Sequence, residues 1–202
     1  MMRLARESDG AAVHAIFKPI IERTAISFAT ECPTPADFAA KIKETTAALP
    51  WLVEGEGETV LGYAYAGKHR TLGSYRWAVE TSIYVAPEAQ RRGVAHRLYA
   101  ALLEILKRQG YYNAYAGITL PNEASVALHE SFGFKRFCVF ESIGHKLGQW
   151  RDVAWFVIPI QGRYDPNPQD PTPLQALLAR EPDLIERLAN AASASSCTRP
   201  AL

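Results

Sequence analysis

The sequence predicts a mixed α/β domain, with a central mixed sheet flanked by helices. Three observations carry this. Strand-like and helix-like runs follow one another in the order βααβββαβαββ up to residue 160. Two strand-like runs, 51–54 and 59–66, are separated by the turn Gly55-Glu56-Gly57, which reads as a hairpin. A third such run, 76–85, passes through a basic, glycine-bearing turn into a helical repeat carrying Val94, Leu98, Leu102 and Ile105 on one face. With 202 residues, 48% apolar and 21% charged, the chain has an ordinary globular composition and the length to build a core.

The elements follow in order. Residues 3–6 suit a short first strand. Ser8 or Asp9 can cap a helix whose Val13, Ile16, Phe17 and Ile20 keep helical spacing, and Pro19 is expected to kink or end it. TAISFATECP (24–33) reads as a loop. Thr34 then caps a second helix, with Pro35 at its first position, Asp37 in its first turn, Phe38, Ile42 and Leu49 on or near one face, and Pro50 as a stop. After the hairpin, KHRTLGSY (68–75) is a polar loop. Gly110 ends the helix that begins past Gly93. Residues 113–120 are a strand, and 122–131 a helix closed by Phe132, Gly133 and Phe134. Two more strands, 135–143 and 151–160, surround the polar turn GHKLGQW. This body is assigned to residues 1–162. Residues 163–202 read as a proline-rich linker, RYDPNPQDPTP, and a short helical extension that Pro182 splits in two, ending in a frayed tail, ASSCTRPAL. There is no internal repeat.

Composition excludes several function classes. The formal net charge of +1 offers nothing to nucleic acid. No apolar run approaches the roughly 20 residues of a membrane span, and the N-terminus, MMRLARESDG, lacks the apolar stretch of a secretory leader. The cysteines, Cys32, Cys138 and Cys197, are odd in number and far apart, which predicts reduced thiols in a cytoplasmic protein and neither disulfides nor zinc. The five histidines show no metal-ligand spacing, so no metal is expected.

The informative stretch is ETSIYVAPEAQRRGVAHRL (80–98). A glycine-bearing turn between strand and helix exposes unpaired N–H groups at the positive end of a helix dipole, a phosphate-binding arrangement. Its spacing is neither that of a P-loop nor that of the dinucleotide fingerprint. QRRGVA (90–95) does resemble the Gln/Arg-x-x-Gly-x-Gly/Ala pyrophosphate motif of the GNAT superfamily of N-acetyltransferases. NEASVALHESFGF (122–134) is similar to that superfamily's second motif, Asn-x-x-(Ser/Ala)-x-x-Leu-(Tyr/His)-x-x-x-Gly-Phe, in the same order along the chain. The resemblance spans roughly residues 2–160 and includes the element order of the GNAT acyl-CoA N-acyltransferase fold. Within the superfamily the phosphinothricin and methionine sulfone/sulfoximine acetyltransferases look most similar, through PWLV, GYAYAG, YRWAVETSIYV, LPNEASVALHESFGF and GHKLGQWRDV.

The resemblance implies an enzyme that uses acetyl-CoA, without metal, to acetylate the amino group of a small amino-acid-like compound, and a homodimer. An attacking amine must lose a proton, and Glu80 stands where the subgroup carries its base. Backbone N–H groups around Ile83, Tyr84 and Val85 are expected to serve the acetyl and pantetheine groups. Arg91, Arg92, Gly93, Val94, Ala95 and His96 would cradle the pyrophosphate. Asn122 suits both an N-cap and a CoA contact, and Ser131 is a weaker CoA candidate. His129 replaces the tyrosine of most superfamily members and could act as general acid or as a second base. Arg70 matches a basic position suited to a substrate carboxylate, and Phe28 and Tyr75 match pocket aromatics. Leu72 departs from the phosphinothricin enzymes, which carry arginine there, and so puts phosphinothricin itself in doubt as the natural substrate. His145, Lys146 and Trp150 would shape the pocket or a dimer interface. The competing readings are a non-catalytic acyl-CoA-binding regulatory module and a transferase for a larger amine or a protein N-terminus.

Overall fold

A computed structural model describes residues 1–196. Seven strands form one sheet in the order β1-β2-β3-β4-β5-β7-β6: β1 (Met2–Leu4), β2 (Trp51–Glu56), β3 (Thr59–Lys68), β4 (Ala78–Val85), β5 (Asn113–Thr119), β6 (Lys135–Lys146) and β7 (Gln149–Pro159). All neighbours are antiparallel except β4 and β5. That one parallel pair needs a crossover, which is α3 (Val94–Gln109).

Strand alternation sorts the helices onto two faces. Thr81 of β4 reaches the hydroxyl of Tyr99 on α3, whereas Tyr84 packs edge-on against Phe17 of α1 (Gly10–Arg23). α3 therefore covers one face, while α1 and α2 (Pro35–Thr46) cover the other. Leu98, Leu102, Ile105 and Leu106 of α3 are fully buried, as its periodicity predicted. Gly110 ends it in the left-handed conformation, at φ 91°. Thr34 and Asp37 form a reciprocal capping box on α2.

Two local expectations are corrected. Pro19 does not end α1, which continues to Arg23: Ile16 and Ile21 are buried on either side of it, and their packing offsets the lost hydrogen bond. GHKLGQW is not a seven-residue turn. β6 and β7 run into it, and only Leu147 and Gly148 turn, at φ 52° and 75°. Both are left-handed, as a two-residue hairpin of this hand requires.

Past β7 the chain crosses irregular residues and forms α5 (Leu174–Arg180) and α6 (Leu184–Ser196). Leu174, Leu177, Leu184 and Ala189 are buried in the same core as the sheet. The Leu174 amide donates to Ala48 O, and the Gln109 side chain bridges Ala48 O and Thr172 O. Cys197 and the end of the ASSCTRPAL segment lie outside the described residues.

Candidate active site

β4 and β5 pair only at their beginnings. The parallel ladder joins Ala78 to Asn113, Val79 to Ala114 and Glu80 to Tyr115, and then stops. Each strand continues on its other neighbour, β4 along β3 to Val85 and β5 along β7 to Thr119. The sheet thus opens into a slot in its middle, and Glu80 stands where the two strands part. The Ala86 N–H donates across β3 to Leu61 O at 2.9 Å. Antiparallel ladders alternate in which residues face a given neighbour. Counting back by two, Tyr84 and Ser82 turn their backbone groups to β3, which leaves those of Ile83 and Val85 aimed into the slot. Of the three sequence candidates, Tyr84 therefore brings its ring rather than its amide. Burial pushes its phenol well above the ordinary value, so it stays protonated.

A narrow cavity of about 60 Å³ marks the slot, lined among others by Ile83, Tyr84, Ile118, Asn122 and His129. Asn122 caps α4 (Glu123–Ser131), accepting from the Ser125 N–H at 3.2 Å, and the helix carries His129 to the slot from the α3 face. The imidazole is buried, with Nδ1 donating to Ser125 O at 2.7 Å. Burial lowers its pKa, partly opposed by the hydrogen bond to Ser125, so at neutral pH it is uncharged and Nε2 holds the lone pair. Ser131 Oγ bonds back to Leu128 O on its own helix and does not line the cavity.

Glu80 projects from the opposite face of β4, its carboxylate half-exposed. Its register partner on β3 is Gly67, beside which the space is open, so nothing crowds the carboxylate there. His69 donates from Nδ1 to Glu80 Oε1 at 2.8 Å. Tyr75 stands edge-on to His69. Phe28 lies against Gly144 of β6, in the loop after α1 that also meets Thr119 through Ile26 O. Arg70 is exposed and lines a separate hollow of about 320 Å³, with Leu72, Tyr75 and Tyr111. It is not among the residues of the slot.

At the far end of β4 the turn has two left-handed residues, Arg91 at φ 62° and Gly93 at φ 77°. The first intrahelical bond of α3 runs from Arg97 N–H to Gly93 O, so the amides preceding it take no acceptor within the helix. A Cβ on Gly93 would come within 2.8 Å of the Arg97 guanidinium. Arg97 also pairs with the buried Glu54, and Arg92 pairs with Glu56, tying the turn to β2. His96 packs against Phe132.

Residues 17–134 match the Acetyltransferase (GNAT) family. The chain belongs to the GNAT family of acetyltransferases. It is 35% identical over 170 residues, 84% of this chain and 93% of the other, to a phosphinothricin N-acetyltransferase of Streptomyces viridochromogenes. It is 30% identical over 168 residues, 82% of this chain and 98% of the other, to the L-methionine sulfoximine/L-methionine sulfone acetyltransferase of Salmonella typhimurium. Among solved structures, a GNAT superfamily phosphinothricin acetyltransferase from Sinorhizobium meliloti in complex with AcCoA superposes with a TM-score of 0.81 at 27% identity, covering 88% of this chain and 97% of that one.

Two residues beside the candidate site carry no sequence signal of their contacts. His69 sits in a segment that reads as a polar loop, with no motif to mark it. Arg97 lies one residue past QRRGVAH, where its helical position alone suggests a solvated cation. Its ion pair with Glu54 joins segments 43 residues apart and is set by the fold.

Proposed function

We propose that this GNAT protein moves the acetyl group of acetyl-CoA to the amino group of a small amino-acid-like compound, of the phosphinothricin or methionine sulfone/sulfoximine type. The observation that carries the reading is the slot between β4 and β5, with a carboxylate at its apex on one face and a neutral imidazole on the other. The names of the relatives favour the same chemistry. Masking the amino group of a toxic amino acid would detoxify it.

The residues present fit an acyl-CoA. The left-handed turn at Arg91 and Gly93 exposes amides for a pyrophosphate beside Arg91 and Arg92, with Val94, Ala95 and His96 opening the helix. The inward backbone of Ile83 and Val85 suits an amide-bearing pantetheine chain. Bound there, acetyl-CoA would supply an activated acyl thioester. Glu80 takes the proton from the incoming ammonium, so that the amine lone pair is free. Ile83 or Val85 N–H can donate to the carbonyl oxygen. His129, neutral with an open Nε2, is suited to accepting a proton rather than giving one. Asn122 serves first as a cap and borders the slot, whereas Ser131, bonded to its own helix, contributes least. Tyr75 and Phe28 are the aromatic walls on the Glu80 side, and Arg70 reaches a substrate carboxylate only if its side chain swings from its hollow. A homodimer through β6 is part of the proposal, because Phe137, Phe140 and Ile143 on this edge strand are 55%, 45% and 56% exposed.

The test is thiol release from acetyl-CoA with a panel of phosphinothricin, methionine sulfone, methionine sulfoximine and unmodified amino acids. Turnover with one or more of these, lowered at least about 100-fold by Glu80→Gln with acetyl-CoA binding intact, is expected. Tight acetyl-CoA binding without thiol release for any amine would refute it in favour of a regulatory module.

A further inference from the structure

We infer that His69 is a positioning residue for Glu80: it holds one carboxylate oxygen so that the other faces the amine. The inference rests on the reading of Glu80 as proton acceptor. Its geometry comes from β3 and three aromatic rings. His69 follows the last residue of β3, two positions beyond Gly67, the register partner of Glu80. That spacing brings it to the face of the sheet occupied by Glu80. The imidazole stacks on Tyr115 with ring centroids 4.4 Å apart and planes 13° from parallel. Tyr75 at 6.3 Å and Trp155 at 6.1 Å close on it edge-on. The histidine side chain is 14% exposed, the glutamate 42%. The more buried partner is thus the fixed one, and the more exposed carboxylate takes its orientation from it.

A glutamate at a strand's open edge has three freely rotating side-chain bonds, and a proton acceptor must be aligned within hydrogen-bond reach of its donor. The bond from Nδ1 to Oε1, 2.8 Å long, removes much of that freedom. The tautomer follows, because a carboxylate only accepts and Nδ1 must carry the hydrogen. The ammonium N–H bond breaks, the proton moves to Oε2, and the electron pair stays on nitrogen. Glu80 is exposed enough to return the proton to water. His69 keeps its own proton throughout.

Three variants separate the donor from the ring. His69→Phe keeps an aromatic ring over Tyr115 and removes the donor. His69→Asn keeps an N–H donor at the place of Nδ1 and removes the ring. His69→Gln carries its donor at the place of Nε2, too far out. In steady-state kinetics with acetyl-CoA and the best amine, the Phe and Gln variants should lose about 10- to 100-fold in kcat, the range that misplacing a reacting group costs. KM for acetyl-CoA should stay within about twofold and the Asn variant within about fivefold of the parent kcat, on the same geometric argument. Thermal melts of all three report folding. Parent-like kcat in His69→Phe, or an Asn variant that folds but is as slow as the Phe variant, overturns the inference. If Glu80→Gln itself keeps full turnover, the reading of Glu80 fails instead.

Discussion

Gly144 controls where Phe28 can sit. A Cβ built on Gly144 would stand 2.4, 2.6 and 2.7 Å from three carbons of the Phe28 ring. Unstrained carbon contacts lie near 3.5–4.0 Å, so in Gly144→Ala the ring must retreat by about 1 Å or more. The backbone around it resists. Lys146 Nζ donates to Ser27 O at 2.6 Å and to Ala29 O at 3.0 Å, gripping the loop on both sides of Phe28. Overpacking of this kind costs about 1–3 kcal/mol, which for a chain of this size lowers Tm by roughly 2–12 °C. Because Phe28 is proposed to wall the amine side of the site, KM for the amine should rise about tenfold while KM for acetyl-CoA stays put, the mark of a lost binding contact remote from the cofactor. Differential scanning fluorimetry and two-substrate kinetics measure both effects. An alanine variant with unchanged Tm and unchanged amine KM would refute this account of the loop, and an equal rise in both KM values would refute its one-sidedness.

Two further outcomes are expected. Burial holds the His129 imidazole below its ordinary pKa in the folded state, against the weaker pull of Ser125 O. The unfolded chain therefore binds a proton below about pH 6.5 that the native state does not, and the stability present above that pH is lost as pH falls through the folded pKa. Melts between about pH 7.5 and 5 should fall more steeply for the parent than for His129→Gln, and parallel slopes would contradict the burial argument. Leu184 is fully buried where α6 joins the core, so Leu184→Ala should cost about 2–5 kcal/mol in a urea melt. A loss below about 0.5 kcal/mol, the level of a surface change, would mean that α6 does not contribute to the core as its burial implies.

Much of the fold was legible because its signals are local. The capping box at Thr34, the left-handed stop at Gly110 and the Asn122 cap each involve residues within a few positions of one another. The repeat of Leu98, Leu102 and Ile105 marks a helix face wherever it packs. The same locality explains the errors. Pro19 reads as a kink or an end, and the end does not occur because the burial of Ile16 and Ile21, which sustains the helix to Arg23, is a tertiary matter. The hairpin between β6 and β7 reads as a long turn because its composition is polar, and pairing, not composition, extends the strands.

For the candidate site the division is similar. Sequence alone determined which residue types stand around the crossover: a glutamate on the strand, a glycine and arginines in the turn, and a histidine one helix further on. What the tertiary structure alone decided is how they meet. The slot exists because the β4–β5 ladder stops at Glu80 while each strand stays paired with its outer neighbour to its end. His129 is neutral because the fold buries it, and Glu80 has a fixed partner because β3 ends where His69 can reach it. α5 and α6 cover α3 because their leucines find apolar surface far away in the chain. Each of these depends on contacts between distant segments, and hydrophobic burial and hydrogen bonding act on distance in space, whatever the separation along the chain.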